Sequence, residues 1–138
     1  MASELKVNTL TGVSTAGSIA VTGEGNSTTT NLQQGLAKSW ASIDGDASGT
    51  PVFDSFNVSS ISDTDSGIYL HNFSSNMSND DYVVNCANNG DGSGNTVAYT
   101  TNYNTHTTAT TGVKALRTDS LARLDTPIGH TLIHGDLA

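Results

Sequence analysis

Two hydrophobic periods divide this chain. Between residues 30 and 43, Leu32, Leu36, Trp40 and Ile43 recur at spacings of four, four and three, which places them on one side of an amphipathic helix. Thr30 stands where an N-cap is needed and Gln33 at the third helical position, the two halves of a capping box. Gly35 costs such a helix about 1 kcal/mol relative to Ala, and Asp44-Gly45-Asp46 ends it. From Pro51 onward the period falls to two. Phe56, Val58 and Ser60 alternate with Asn57, Ser59 and Ile61, and the turn SDTDSG leads to Ile68–Phe73. Beyond SSNMSNDD comes Tyr82–Cys86, and beyond NNGDGSGN comes Thr96–Tyr99. Val113, Ala115 and Arg117 then alternate against Lys114 and Leu116, and Asp119 to Arg123 read as a single helical turn. Short alternating runs parted by polar turns predict a mainly β fold, a small antiparallel sandwich or barrel.

Residues 4–24 have a third character. Val7, Leu10, Val13, Ile19 and Val21 are apolar, but Gly12, Gly17 and Gly23 among Ser and Thr stop a helix from propagating. Short strands of about five residues fit there, and their apolar side chains need a partner surface. The chain therefore divides into an N-terminal segment, 1–46, which carries the helix 30–43, and an antiparallel β-domain, 51–138. The helical stripe suits packing on the chain's own β-domain as well as packing against symmetry copies, and periodicity does not choose between them.

Composition sharpens this division. At 138 residues there is room for one compact domain and an extended segment. The hydrophobic share of 35% makes a lone chain poor in core, and DEKR residues supply only 13%, about half the usual share. An uncharged polar surface can be covered by another copy without desolvating many ions, so low core content with low charge favours an oligomer. A net charge of −8 with five Lys and Arg repels a phosphate backbone and excludes steering toward nucleic acid. Cys86, in the alternation YVVNCA, reads as a small buried residue. No signal peptide and no stretch of about eighteen apolar residues is visible, so synthesis in a reducing cytoplasm without membrane insertion is expected. The N-x-S/T sequons at Asn26, Asn57, Asn72 and Asn76 read as chance in so Asn-, Ser- and Thr-rich a chain.

The motifs that carry chemistry are thin. His130 and His134 lie four apart, but Gly129, Thr131, Ile133 and Gly135 point to a strand, where both share a face with Leu132. Further ligands would have to come from His71, His106 or another subunit, so solvated or hydrogen-bonded histidines are the expected case. The segment from Asn88 to Asn95 resembles a calcium loop but has Tyr99 where the bidentate glutamate belongs. Asp44, Asp46, Asp63 and Asp65 read as turn acids that accept from nearby backbone amides. GEG at 23–25 is no dinucleotide fingerprint, and no nucleophile motif is present. No catalytic, cofactor-binding or metal residue is assigned. Tyr69, Tyr82, Tyr99 and Tyr103 are the aromatic candidates for a glycan-binding face, and ordinary strand packing is their expected role.

The stretches KVNTLTG (6–12) and AGSIAVTGEGNSTTTNLQQGLAKSW (16–40) resemble a module that recurs in fibre and other virion proteins of tailed bacteriophages, particularly marine ones. SFNVSSISDTDSGIYLHNFSSNMSNDDYVV (55–84) resembles a pattern often found behind that module, and PIGHTLIHGDLA (127–138) resembles the closing strand and tail of the same proteins. The resemblance implies a non-enzymatic virion protein, a homotrimeric tail-fibre-like appendage that takes part in host attachment. Its partners would be its own copies, other virion proteins and a host glycan or receptor. Residues 1–46 would then be an attachment and trimerisation segment, and Leu32, Leu36, Trp40 and Ile43 its assembly residues. A capsid decoration or head-fibre protein is the alternative, and a glycan-binding or glycan-cleaving tip is the alternative of another class.

Overall fold

The computed structural model describes residues 4–12, 19–23, 28–89, 97–102 and 105–138. The chain divides into two compact units, 1–36 and 37–138. In the first, strand β1 (Ala20–Thr22) pairs antiparallel with β2 (Thr29–Asn31), and the helix α1 (Leu32–Gly35) follows at once. Asn31 caps α1, its Oδ1 accepting from the amides of Gln33 at 2.8 Å and Gln34 at 3.2 Å. None of the described residues in this unit is buried. The parts of the N-terminal segment around Val13, Gly17 and Asn26 lie outside the described residues, as does most of the glycine-rich stretch 90–96.

The helix predicted over 30–43 is corrected by the structure to the four residues of α1. Its cap is Asn31 and not Thr30, and Leu36 already has extended angles, φ −96° and ψ 142°. Gly35 weakens propagation where a short helix can least tolerate it. The residues beyond it obey a competing period: Ser39, Ala41 and Ile43 are buried while Trp40 and Ser42 are half-buried. These five residues form β3 (Ser39–Ile43), which is paired along its length with the strand near the C-terminus. Long-range pairing overrides the local 3.6-residue pattern, and residues 37–46 belong to the second unit.

That second unit is a mainly β sandwich of two four-stranded antiparallel sheets. After β3 come β4 (Val52–Phe56), β5 (Val58–Asp65), β6 (Ile68–Phe73), β7 (Val83–Asn88), β8 (Val97–Asn102), β9 (Thr110–Arg117) and β10 (Gly129–His134). The first sheet runs in the order β4-β3-β10-β7 and the second β5-β6-β9-β8. The alternation across 56–61 is not one strand but two in different sheets, joined at Asn57. This residue has φ 56°. Its Nδ2 donates to the carbonyls of Lys38 and Ser75, both at 3.0 Å, and its Oδ1 accepts from the Ser75 amide at 2.7 Å. Those three bonds hold the corner in a left-handed conformation that Asn tolerates better than most residues. Strand β5 runs to Asp65, so the predicted turn SDTDSG shortens to Ser66-Gly67. At Gly67 a Cβ would lie 2.6 Å from the Leu124 carbonyl oxygen. Residues 118–120 form a turn and not the predicted helical one, and Leu121 has φ 57°.

The core lies between the sheets, where period-two alternation turns one face of each strand inward. Ala41 and Ile43 from the first sheet meet Tyr69, Val113 and Ala115 from the second. A second cluster joins Phe73, Met77, Tyr82 and Ile133, with Phe73 and Tyr82 edge to face at a centroid distance of 5.6 Å.

Candidate functional site

The sandwich holds a serine hydroxyl against an imidazole in its interior. His71 Nε2 lies 2.7 Å from Ser39 Oγ, and His71 Nδ1 lies 2.8 Å from Thr131 Oγ1. Ser39 Oγ is also 3.1 Å from the carbonyls of Phe56 and Asn57. Those carbonyls only accept, so the Ser39 proton goes to them, His71 Nε2–H donates to Ser39 Oγ, and Thr131 donates to Nδ1. In that tautomer the imidazole is a donor to Ser39 and not its base. Both residues are buried, with Ser39 fully enclosed. Burial lowers the His71 pKa to about 4 and keeps the ring neutral. This relay ties β6 of one sheet to β3 and β10 of the other, a buried bridge between the layers.

The outward faces of the two sheets differ in kind. On the first, the strand register sets Phe56 beside Trp40, Trp40 beside Leu132, and Leu132 beside Asn85. The next row runs Asp54, Ser42, His130, Ala87, and a third pairs His134 with Val83. Cross-strand neighbours of this kind have Cβ atoms about 4.5–5.5 Å apart, so Phe56, Trp40 and Leu132 form one continuous apolar row. Phe56 is 50% exposed and Leu132 38%. A bulge opposite Ser42 and Ile43 leaves Phe53 without a partner on β3, and Phe53 and Val52 are exposed on the same edge strand. A shallow cleft of about 190 Å³ between β7 and β10, lined by Asn85, Ala87, His130 and Leu132 among others, continues this face. Among its four strands the only residue of fixed charge is Asp54.

The second sheet carries a polar ladder beside half-buried Ile68 and Leu70, which share the outward face of β6 with Asn72. Asn72 Nδ2 donates to Ser60 O and Oγ and to Ser62 Oγ, at 3.1–3.3 Å, and Thr110 Oγ1 donates to Asn72 Oδ1 at 2.8 Å. Its strands carry Asp63, Asp65, Lys114 and Arg117. At its end Arg123 reaches Asp65 at 2.6 Å.

The four predicted assembly residues do not share one stripe. Leu32 and Leu36 line a concave apolar groove of about 360 Å³ in the N-terminal unit, with Leu10, Thr11, Gly12, Ile19 and Gln33. Trp40 belongs to the outer face of the first sheet, while Ile43 is buried in the sandwich core. Phe56 and Leu132, which the structure places beside Trp40, are missed by a reading of local period. Their signal is non-local, since Leu132 meets Trp40 only through the pairing of β10 with β3.

The remaining candidates scatter. His130 and His134 do share an outward strand face with Leu132, while His71 is interior. Among the described residues no three of His, Cys, Asp and Glu converge as metal ligands would. Asp44 Oδ1 accepts from the amides of Asp46 and Ala47, both at 3.1 Å, as a turn acid does. Tyr69 and Tyr82 are core residues whose hydroxyls are held, Tyr69 by Gly45 O and Asp125, Tyr82 by Thr107 O and Thr110 O. Neither is on a glycan-facing surface; Tyr103 lies outside the described residues. Cys86 is half-buried against the core, and burial pushes its thiol up to about 11, which leaves it protonated and unreactive at neutral pH. No described helix is long and apolar enough to cross a membrane. Compared with known proteins, the chain matches no family model, no curated protein and no solved structure.

Proposed function

We propose that this chain is a non-enzymatic structural protein of a phage virion, working as a homotrimeric, tail-fibre-like appendage. Residues 1–36 serve as the attachment element and the sandwich is the displayed body. The observation that carries this reading is an inversion of the usual distribution. The Ser–His pair is enclosed, whereas Trp40, Phe56 and Leu132 line an outward sheet face. The N-terminal unit buries none of its described residues and presents an apolar groove. Both surfaces would gain apolar burial when other chains cover them. The segments 6–12, 16–40, 55–84 and 127–138, which resemble phage virion proteins, supply the virion context and the threefold expectation. Assembly occurs in the host cytoplasm, and the mature location is the particle.

Trp40→Ala tests the assembly role. The variant is expected to form a trimer at least about tenfold weaker, the loss of one well-covered aromatic anchor. A trimer of unchanged dissociation constant and melting temperature overturns the role. The capsid-decoration alternative has the same requirement for neighbours and differs in location, so the number of copies in a purified particle separates the two: tens for a tail appendage, hundreds for decoration.

One observation favours a second reading, glycan binding. The face carries Trp40 and Phe56 beside Ser42, Asp54, Asn85 and His130, so apolar platforms stand next to hydrogen-bonding groups. A glycan array answered by the wild type and lost in Trp40→Ala supports it; a blank array retires it.

A further inference from the structure

We infer that the outer face of the β4-β3-β10-β7 sheet, from Phe56 through Trp40 to Leu132, is covered by the same face or edge of a second copy of this chain. The inference rests on the assembly reading and names the surface that performs it. Charge selects the occupant. Residues 37–138 hold eleven Asp against Lys38, Lys114, Arg117 and Arg123, a net −7, while residues 1–36 contribute −1. Two such bodies repel wherever their acids face each other. The first sheet is where that repulsion is least, because its four strands carry one fixed charge, Asp54. A cationic partner would find little to hold on this face and more among the acids elsewhere. An uncharged apolar face on an acidic body is complementary to another copy of itself.

The edge strand supports the same occupant. Unpaired sheet edges are normally blunted by Lys, Pro, inward charges or bulges. The second sheet's edge strand β5 has two register breaks and Asp63 and Asp65. Strand β4 has no Lys and no internal Pro, and it exposes Val52, Phe53 and Phe56. Its single bulge leaves Phe53 unpaired with β3 and 59% exposed. Desolvating β4 and the adjacent row against another copy buries the largest exposed aromatic residues of the sandwich together.

The test uses the full chain, with its mass and dissociation constant measured by sedimentation from about 1 µM to about 0.3 mM, at about 0.05 M and about 0.5 M salt. Phe56→Lys is expected to weaken self-association at least about 100-fold. Val83→Lys, at a more exposed position on the same face, is expected to weaken it in the same direction. Thr64→Lys, which makes the same charge change on the second sheet, leaves it unchanged. Since Lys lowers the net negative charge, a loss with Phe56→Lys opposes the general electrostatic effect and reports the surface itself. Raising the salt screens the like-charged bodies and tightens the wild-type assembly. Three copies with Phe56→Lys and Val83→Lys indistinguishable from wild type overturn the inference and leave the trimer reading standing. Two copies separated by Phe56→Lys sustain the inference and overturn the trimer. A wild type that stays monomeric at the highest concentration in both salts overturns it, whether or not a glycan binds the face.

Discussion

The two sheets of the sandwich share strand number and antiparallel pairing, yet their outer faces are solved in opposite ways. On the second, Asn72 stitches Ser60, Ser62 and Thr110 into a ladder that satisfies its own side chains. Half-buried Ile68 and Leu70 share that outward side of β6 with Asn72, so the ladder interrupts the apolar surface there instead of leaving it continuous. On the first, Phe56, Trp40 and Leu132 stand in register on the outward face, Trp40 half-buried between the exposed Phe56 and Leu132. The difference singles out the first sheet as the surface on which the proposed self-association would draw. A lone chain with 35% hydrophobic residues holds an apolar row outside its core, and such a row lowers free energy only when another surface covers it.

The comparison breaks most completely if the layer between the faces fails, because His71 ties both sheets together. His71→Ala removes the imidazole bridging Ser39 and Thr131 and opens a cavity. We expect a loss of about 3–5 kcal/mol of stability, measured by urea unfolding, with both faces lost in one transition. The same residue predicts a pH dependence. Its pKa is lowered from 6.5 to about 4 by burial, so between those values the unfolded chain binds a proton that the folded chain refuses. The contribution is full above pH 6.5 and is lost as the pH falls toward 4, by about 3 kcal/mol. Asp63 acts in the opposite direction, since burial and the nearby Asp125 and Asp65 raise its pKa while a hydrogen bond at Asp65 holds it back. The difference in acid slope between wild type and His71→Gln therefore isolates the imidazole. Equal slopes would show that His71 is not held neutral by the fold.

Much of the second sheet is legible in the sequence, because its information is local. Ile68–Phe73 and Val113–Arg117 alternate within single strands, and the structure puts Tyr69, His71 and Phe73 inward on β6 and Val113 and Ala115 inward on β9. The first sheet is less legible. Leu32, Leu36, Trp40 and Ile43 satisfy a helical period, while Ala41 and Ile43 satisfy a strand period over the same residues. Only the pairing of Leu132 with Trp40 and of Thr131 with Ala41 decides between them. The break at Asn57 is hidden for a related reason. Alternation continues through it, and the evidence for a corner is its positive φ and bonds to Lys38 and Ser75. The candidate site suffers most, since its row is assembled from β4, β3 and β10.

The polar ladder gives a smaller effect that sharpens the contrast. Asn72→Ala removes the side chain on which Ser60, Ser62 and Thr110 converge, but these groups are near solvent and water replaces their partner. A loss of about 1 kcal/mol in urea unfolding is expected, with self-association unchanged. An Asn72→Ala chain that unfolds normally but fails to assemble would move the assembly surface to the second sheet and dissolve the distinction between the faces.

The smallest effect belongs to the ion pair at the end of that second sheet. Arg123 and Asp65 approach to 2.6 Å, but their side chains are 42% and 55% exposed. Water and salt screen such a pair, and ordering two long side chains offsets part of the attraction. A double-mutant cycle with Arg123→Ala and Asp65→Ala is expected to give a coupling of about 0.5 kcal/mol or less at low salt, vanishing near 0.5 M or so. Assembly responds to the same salt in the opposite sense, tightening as repulsion between acidic bodies is screened. A coupling well above about 1 kcal/mol that persists in salt would mean that charge, and not the Asn72 ladder alone, organises the second sheet.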